Sequence, residues 1–133
     1  MKKSGILNAQ LAGYIAALGH KDTFVIGDAG LPIPAGVPIV DLAVCGGVPT
    51  FEQVLTAVLG ETEIEYYCIA EEIIAKNDRL LQFIRESLPG IEEDMIPHLD
   101  FKECTKTVKF AIRTGEFTPF PNIILRAGVA IPA

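Results

Sequence analysis

The chain has 133 residues, half of them hydrophobic and 21% charged, with a formal net charge of -6. That length fits one domain over residues 1–133, and a mean hydropathy of +0.37 is high for so small a chain, which assigns the apolar excess to subunit interfaces. The acidic balance, with no Trp and no basic cluster, excludes nucleic acid as a partner, because phosphate binding needs concentrated Lys and Arg.

The opening Met1-Lys2-Lys3 and the apolar stretch behind it have the outline of a signal peptide, but Asn8 and Gln10 interrupt the run and no A-x-A site follows. Leu11, Ile15 and Leu18 instead recur at i, i+4 and i+7, an amphipathic helix capped by Asn8 and stopped at Gly19. TFVIG (23–27) is short and apolar throughout, which reads as a buried strand. A Gly/Pro loop over 28–38 leads to a second strand, IVDLAV (39–44), and a turn at Gly46-Gly47. Thr50 and Gln53 then form a capping box for the helix FEQVLTAVLG.

EIEYYCIA (63–70) is a third strand. Asn77 caps a helix whose Leu80, Leu81, Ile84 and Leu88 share one face, closed by Pro89-Gly90. Asp100 with Glu103 signals another cap, opening a short helix after His98. VKFAIRTG (108–115) and NIILRAGVAI (122–131) are the last strands, with the loop TGEFTPFP between them. Strands that alternate with helices and run apolar belong to an α/β sheet covered on both faces. No apolar run reaches the ~20 residues a membrane helix needs. Cys45, Cys68 and Cys104 form no CxxC and read as small apolar residues in a reducing compartment. With two histidines and no ligand spacing, a structural zinc site is not expected.

Ligands of open α/β sheets gather beyond the carboxyl ends of the strands, where Asp28 and the 113–122 loop fall. Gly27 and Gly30 clear space around Asp28, as close approach to a small ligand requires. Every candidate has a plainer reading. His20 follows a helix C-terminus that favours an imidazolium, Asp28 suits a turn acid and His98 a surface loop. Asn122 begins a strand, and Arg113 with Glu116 reads as an exposed ion pair. Spacing alone leaves a small-molecule site without a named ligand.

The blocks LGHKDTFVIGDAGLPIP (18–34), GVPTFEQVL (47–55) and IRTGEFTPFPNIILRAGV (112–129) resemble the D-ribose pyranase family, a relative of the L-fucose mutarotases, and the likeness runs nearly end to end. The resemblance implies a three-layer α/β/α sandwich on a mixed, mostly parallel sheet. It also implies a ring-shaped homo-oligomer, a decamer of two pentamers, acting in the cytoplasm without cofactor or metal. The implied reaction is an isomerisation: the pyranose of ribose opens at its hemiacetal bond and recloses through another hydroxyl as the furanose. A histidine suits that proton traffic, since its pKa lies near neutrality. By resemblance His20 is the proton donor, Asp28, His98 and Asn122 hold the sugar, and Lys102 belongs to the pocket.

One departure stands out. The family's Tyr-Ala-Asn is here Phe120-Pro121-Asn122, which keeps a ring for stacking on the sugar but loses a hydroxyl. A lost neutral hydrogen bond costs about 0.5–1.5 kcal/mol. This leaves two alternatives: a mutarotase for another sugar such as fucose, or a non-catalytic sugar-binding or regulatory protein. A five-residue strand spans ~16 Å, so His20 and Asp28 should lie far apart in one subunit. Either the flanking loops curl back or the two meet across subunits, and the apolar composition favours the second. The uncharged tail after Arg126 is expected to be buried between subunits.

Overall fold

The computed structural model describes residues 1–132. In chain order the elements are α1 (Ala9–Ala16), β1 (Thr23–Gly27), β2 (Ile39–Asp41), α2 (Phe51–Leu59), β3 (Ile64–Ala70), α3 (Ile73–Lys76), α4 (Asp78–Ser87), β4 (Glu92–Ile96), α5 (His98–Cys104), β5 (Ala111–Arg113) and β6 (Ile123–Ala127). The strands form a single sheet in the order β2-β5-β1-β6-β3-β4. β2, β5 and β1 pair in parallel, as do β3 and β4, and β6 runs antiparallel to both β1 and β3. The sheet is therefore mixed and mostly parallel, as expected.

Its two faces explain why the strands read as apolar throughout. On one, Phe24 and Ile26 of β1, Tyr67 and Ile69 of β3, and Ile123 and Leu125 of β6 pack under Leu11 of α1, Leu55 of α2 and Ile84 of α4. On the other, Val25, Cys68, Ala111 and Ile124 meet Phe101 of α5, Val108 and the loop residues Leu31, Ile33 and Val37. Alternate residues of one strand thus enter different cores. Each fully buried large side chain contributes about 1.5–3 kcal/mol. The second covering layer is thin, a seven-residue helix and a Gly/Pro loop.

The first two caps form as read. Asn8 Oδ1 accepts the Leu11 N–H at 2.9 Å. Thr50 and Gln53 satisfy each other's amides, at 3.1 and 2.9 Å. Other expectations need correction. Asn77 precedes α4 but makes no side-chain cap. Instead its Nδ2 donates to Thr118 Oγ1 and Pro119 O, at 3.1 and 2.9 Å. α5 opens at His98 itself behind Pro97, so Asp100 lies inside its first turn rather than before it. The strands expected over 39–44, 108–115 and 122–131 are shorter, because the chain turns once its ladder partner ends. Leu42 N–H, for example, still bonds Arg113 O at 2.9 Å, and beyond it Val44 turns to Val48 O.

β4 and α3 had no counterpart in the sequence reading. β4 is an edge strand of alternating exposure whose Glu92 and Asp94 face solvent, so its apolar signal is weak. All three cysteines are free, but only Cys68 is buried; Cys45 and Cys104 are exposed rather than core residues. Among the described residues no helix is long and apolar enough to cross a membrane.

Candidate functional site

Because β6 runs against β1, its first residues lie beside the last residues of β1. Ile26 sits opposite Ile123, and the next step brings Asp28 to Asn122. Asn122 is fully buried. Its Oδ1 accepts the Asp28 N–H at 2.9 Å and its Nδ2 donates to Asp28 Oδ2 at 3.1 Å. The other carboxylate oxygen accepts the Gly30 N–H at 2.7 Å. Asp28 is thus both a turn acid and a partner of a buried amide. Gly27 does clear space: a Cβ there would lie 2.7 Å from Leu31 Cδ2 and 3.1 Å from Asn122 Oδ1. Gly30 does not, since a Cβ would come no closer than 3.5 Å to Asp28.

α5 follows β4, whose carboxyl end lies at the same end of the sheet, and this delivers His98 and Lys102. The His98 N–H is shared by both oxygens of Glu72, each at 3.1 Å. Its ring stacks on Phe101 with centroids 6.1 Å apart and meets Phe120 edge-on at 5.1 Å. Nδ1 is buried without a partner among the described residues. Burial, reinforced by the Lys102 charge, pushes His98 below its ordinary value of 6.5 against the pull of Glu72 and Asp28. The imidazole is therefore neutral at pH 7.

Phe120 adopts φ of 58°, a left-handed conformation costly for a bulky residue. Its loop is held in place by the Asn77 bonds to Thr118 and Pro119 and by the buried Pro121 and Asn122 that follow. Glu116 bonds Phe51 N–H at 2.9 Å and the Thr118 hydroxyl at 3.0 Å, so it does not pair with Arg113. Arg113 reaches both oxygens of Asp41 at 3.1 Å and Ala29 O at 3.0 Å, which steadies the turn after Asp28.

His20 lies at the other end of β1, beyond Thr23. Its ring bonds no carbonyl of α1, where the Gly13 and Ile15 carbonyls accept the Ala17 backbone N–H. Its Nε2 is 2.6 Å from Glu65 Oε1 on β3. Glu65 Oε2 accepts from Arg126 Nε at 3.0 Å, with Lys21 Nζ at 3.7 Å. Burial raises the Glu65 carboxyl, but His20, Lys21 and Arg126 outweigh it and hold it below the usual carboxylate range. His20 also borders an open cavity of about 420 Å³ lined by Leu18, Val129 and Ile131. Val129 and Ile131 of the tail are exposed on the isolated chain; Ala133 lies outside the described residues.

Asp28, His98, Lys102, Phe120, Pro121 and Asn122 thus gather at one end of the sheet, and His20 does not join them. Its partners lie where β6 ends, at Arg126, while those of Asp28 lie where β6 begins. The flanking loops do not curl back. The sequence reading gave no role to Glu65 or Glu72 and read Asn77 only as a helix cap. Glu65 left a trace as a charge near the start of a largely apolar strand.

A mixed α/β sheet with a carboxylate–amide pair, a neutral imidazole and an aromatic ring at its strand ends defines a protein built to hold a small polar ligand. Comparison with known proteins makes the class specific. Residues 1–130 match the RbsD / FucU transport protein family, and the chain belongs to that family. It is 51% identical over 130 residues to a D-ribose pyranase of Geobacillus kaustophilus, covering 98% of this chain and 96% of that protein. It is 46% identical to a D-ribose pyranase of Lactobacillus gasseri, with 97% and 98% covered. Bacillus subtilis RbsD, solved in complex with D-ribose, superposes with a TM-score of 0.95 at 44% identity, over 98% of this chain and all of that one. The fucose mutarotase of Streptococcus pneumoniae, at 20% identity and a TM-score of 0.79, shares the fold.

Proposed function

We propose that this chain is a D-ribose pyranase, an isomerase that interconverts the pyranose and furanose forms of ribose. The observation that carries the reading is the Asp28–Asn122 pair beside a neutral His98 and the Phe120 ring. A carboxylate and an amide accept and donate to vicinal hydroxyls, and an aromatic ring covers the apolar face of a sugar. In this reading Asp28, His98 and Asn122 hold the sugar, Phe120 and Pro121 wall the pocket, and Lys102 adds a donor at its rim.

The chemistry asks only for proton transfer. As the C1–O5 bond breaks, the ring oxygen gains a proton and the anomeric hydroxyl loses one to become the aldehyde. After rotation, the C4 hydroxyl adds to the aldehyde and the protons return in reverse. His20 is the group we assign to the ring oxygen. Within one chain it stands at the wrong end of the sheet, so the complete site takes His20 from one subunit and the sugar-holding cluster from its neighbour. We propose a ring-shaped homo-oligomer, a decamer of two pentamers, in which the exposed Val129 and Ile131 are covered. The place of action is the cytoplasm, which free thiols suit.

Saturation-transfer NMR of equilibrated ribose tests the activity. Exchange between pyranose and furanose signals, accelerated by protein, is expected; line broadening without exchange would identify a binder instead. The Phe120-Pro121 pair favours one second reading, a mutarotase for another sugar such as fucose, and the same measurement on that sugar decides it.

A further inference from the structure

We propose that Glu65 is a positioning residue for His20, holding the imidazole by Nε2 so that Nδ1 is the nitrogen that exchanges a proton with the sugar. The inference rests on the reading of His20 as the proton donor. The sheet carries an irregularity at Glu65. Ile64 pairs with Ala127 and Tyr66 with Arg126, so β3 spends two steps where β6 spends one, and Glu65 is the extra residue. Such bulges re-aim a side chain at the expense of the ladder. Here the re-aimed side chain is a carboxylate inside an otherwise apolar strand, a placement that ladder pairing does not explain.

Both carboxylate oxygens are engaged, and on different partners. Oε1 faces His20 Nε2 at 2.6 Å and Oε2 takes the Arg126 Nε–H at 3.0 Å. Arg126 is in turn fixed, its guanidinium 4.5 Å over the Tyr66 ring, whose hydroxyl donates to Asp94 at 3.0 Å. An ionised carboxylate only accepts, so Nε2 must carry a hydrogen. The neutral ring then has its lone pair on Nδ1, and the protonated ring presents Nδ1–H. An exposed histidine otherwise samples several rotamers, and holding one of them is how a carboxylate assists a proton-transferring imidazole.

Glu65→Ala and the isosteric Glu65→Gln are to be compared with His20→Ala and with both double variants, in ribose exchange by NMR and with thermal melts for folding. Glu65→Ala should lower kcat about 10- to 100-fold, part of the 10²–10⁴ a general acid supplies, with KM nearly unchanged. Glu65→Gln, which keeps an acceptor, should fall less. A residue acting only through His20 adds nothing once His20 is gone, so each double variant should match His20→Ala. The bond to Glu65 should slow exchange of the His20 Nε2–H enough to give a resonance in the wild type, and that resonance should vanish in Glu65→Ala. Wild-type kcat in the folded Glu65 variants would overturn the assignment even if His20→Ala is inactive, and so would losses that add in the doubles on a residual His20→Ala rate. Full exchange in His20→Ala would instead remove the reading beneath it, while the Nε2–H resonance would still report whether Glu65 holds the ring.

Discussion

Asn122 holds Asp28 twice, accepting its backbone N–H at 2.9 Å through Oδ1 and donating to its carboxylate at 3.1 Å through Nδ2. The two residues are 94 apart in sequence, and the amide that joins them is fully buried. Truncating it to alanine leaves the partly buried Asp28 N–H without its partner, a loss of up to about 1–3 kcal/mol. Asn122→Ala should therefore lower both the melting temperature and the affinity for ribose. An unchanged melt would mean that the pair is not structural.

The two glycines around Asp28 should behave differently. Gly27→Ala forces a methyl to 2.7 Å from Leu31 and 3.1 Å from the Asn122 oxygen, an overpacking that costs about 1–3 kcal/mol. Gly30→Ala meets nothing closer than 3.5 Å and should stay within about 0.5 kcal/mol of wild type. Chemical denaturation of both variants checks the contrast.

Sugar affinity should fall on acidification, because His98 binds as a neutral ring whose pKa burial and Lys102 hold below 6.5. The sign for folding follows the same direction. Below 6.5 the unfolded chain takes up a proton that the folded chain refuses, so this group's stabilisation is complete above 6.5 and is lost as the pH falls through and below that value. Titrating ribose at several pH values against wild type and His98→Gln separates this effect from general acid unfolding. The variant should bind weakly at every pH and lose the slope.

Phe120→Tyr restores a hydroxyl to a ring already edge-on to His98 at 5.1 Å. Ribose binding should tighten by about one hydrogen bond, 0.5–1.5 kcal/mol. Unchanged or weaker binding by NMR titration would mean that Pro121 has reshaped the pocket for a different sugar.

His20→Ala and Asp28→Ala should each abolish ribose exchange for separate reasons. If the site is shared between subunits, unfolding the two together and refolding them as a mixture should restore exchange that neither has alone. Failure to complement, with mixed subunit composition confirmed by native mass spectrometry, would require His20 and Asp28 to act within one chain.

Local patterning by itself determined the α/β class, the Asn8 cap and the Thr50–Gln53 capping box, because these depend on neighbours within a turn or two. It also determined that the strands are covered on both faces, since TFVIG and NIIL have no polar side to offer water. β4 escaped, because the edge strand EEDMI shows two of its five residues to solvent, buries none fully, and becomes a strand only through its pairing with β3. What each site residue touches was decided by tertiary structure alone. Reversing β6 between β1 and β3 brings Asn122 to Asp28 at one end of the sheet and Arg126 to Glu65 and His20 at the other. Those meetings depend on strand order and direction, and one bulged residue in β3 aims the carboxylate. The length of TFVIG was enough to separate His20 from Asp28, but no spacing along the chain says which residues meet each of them at the two ends of the sheet.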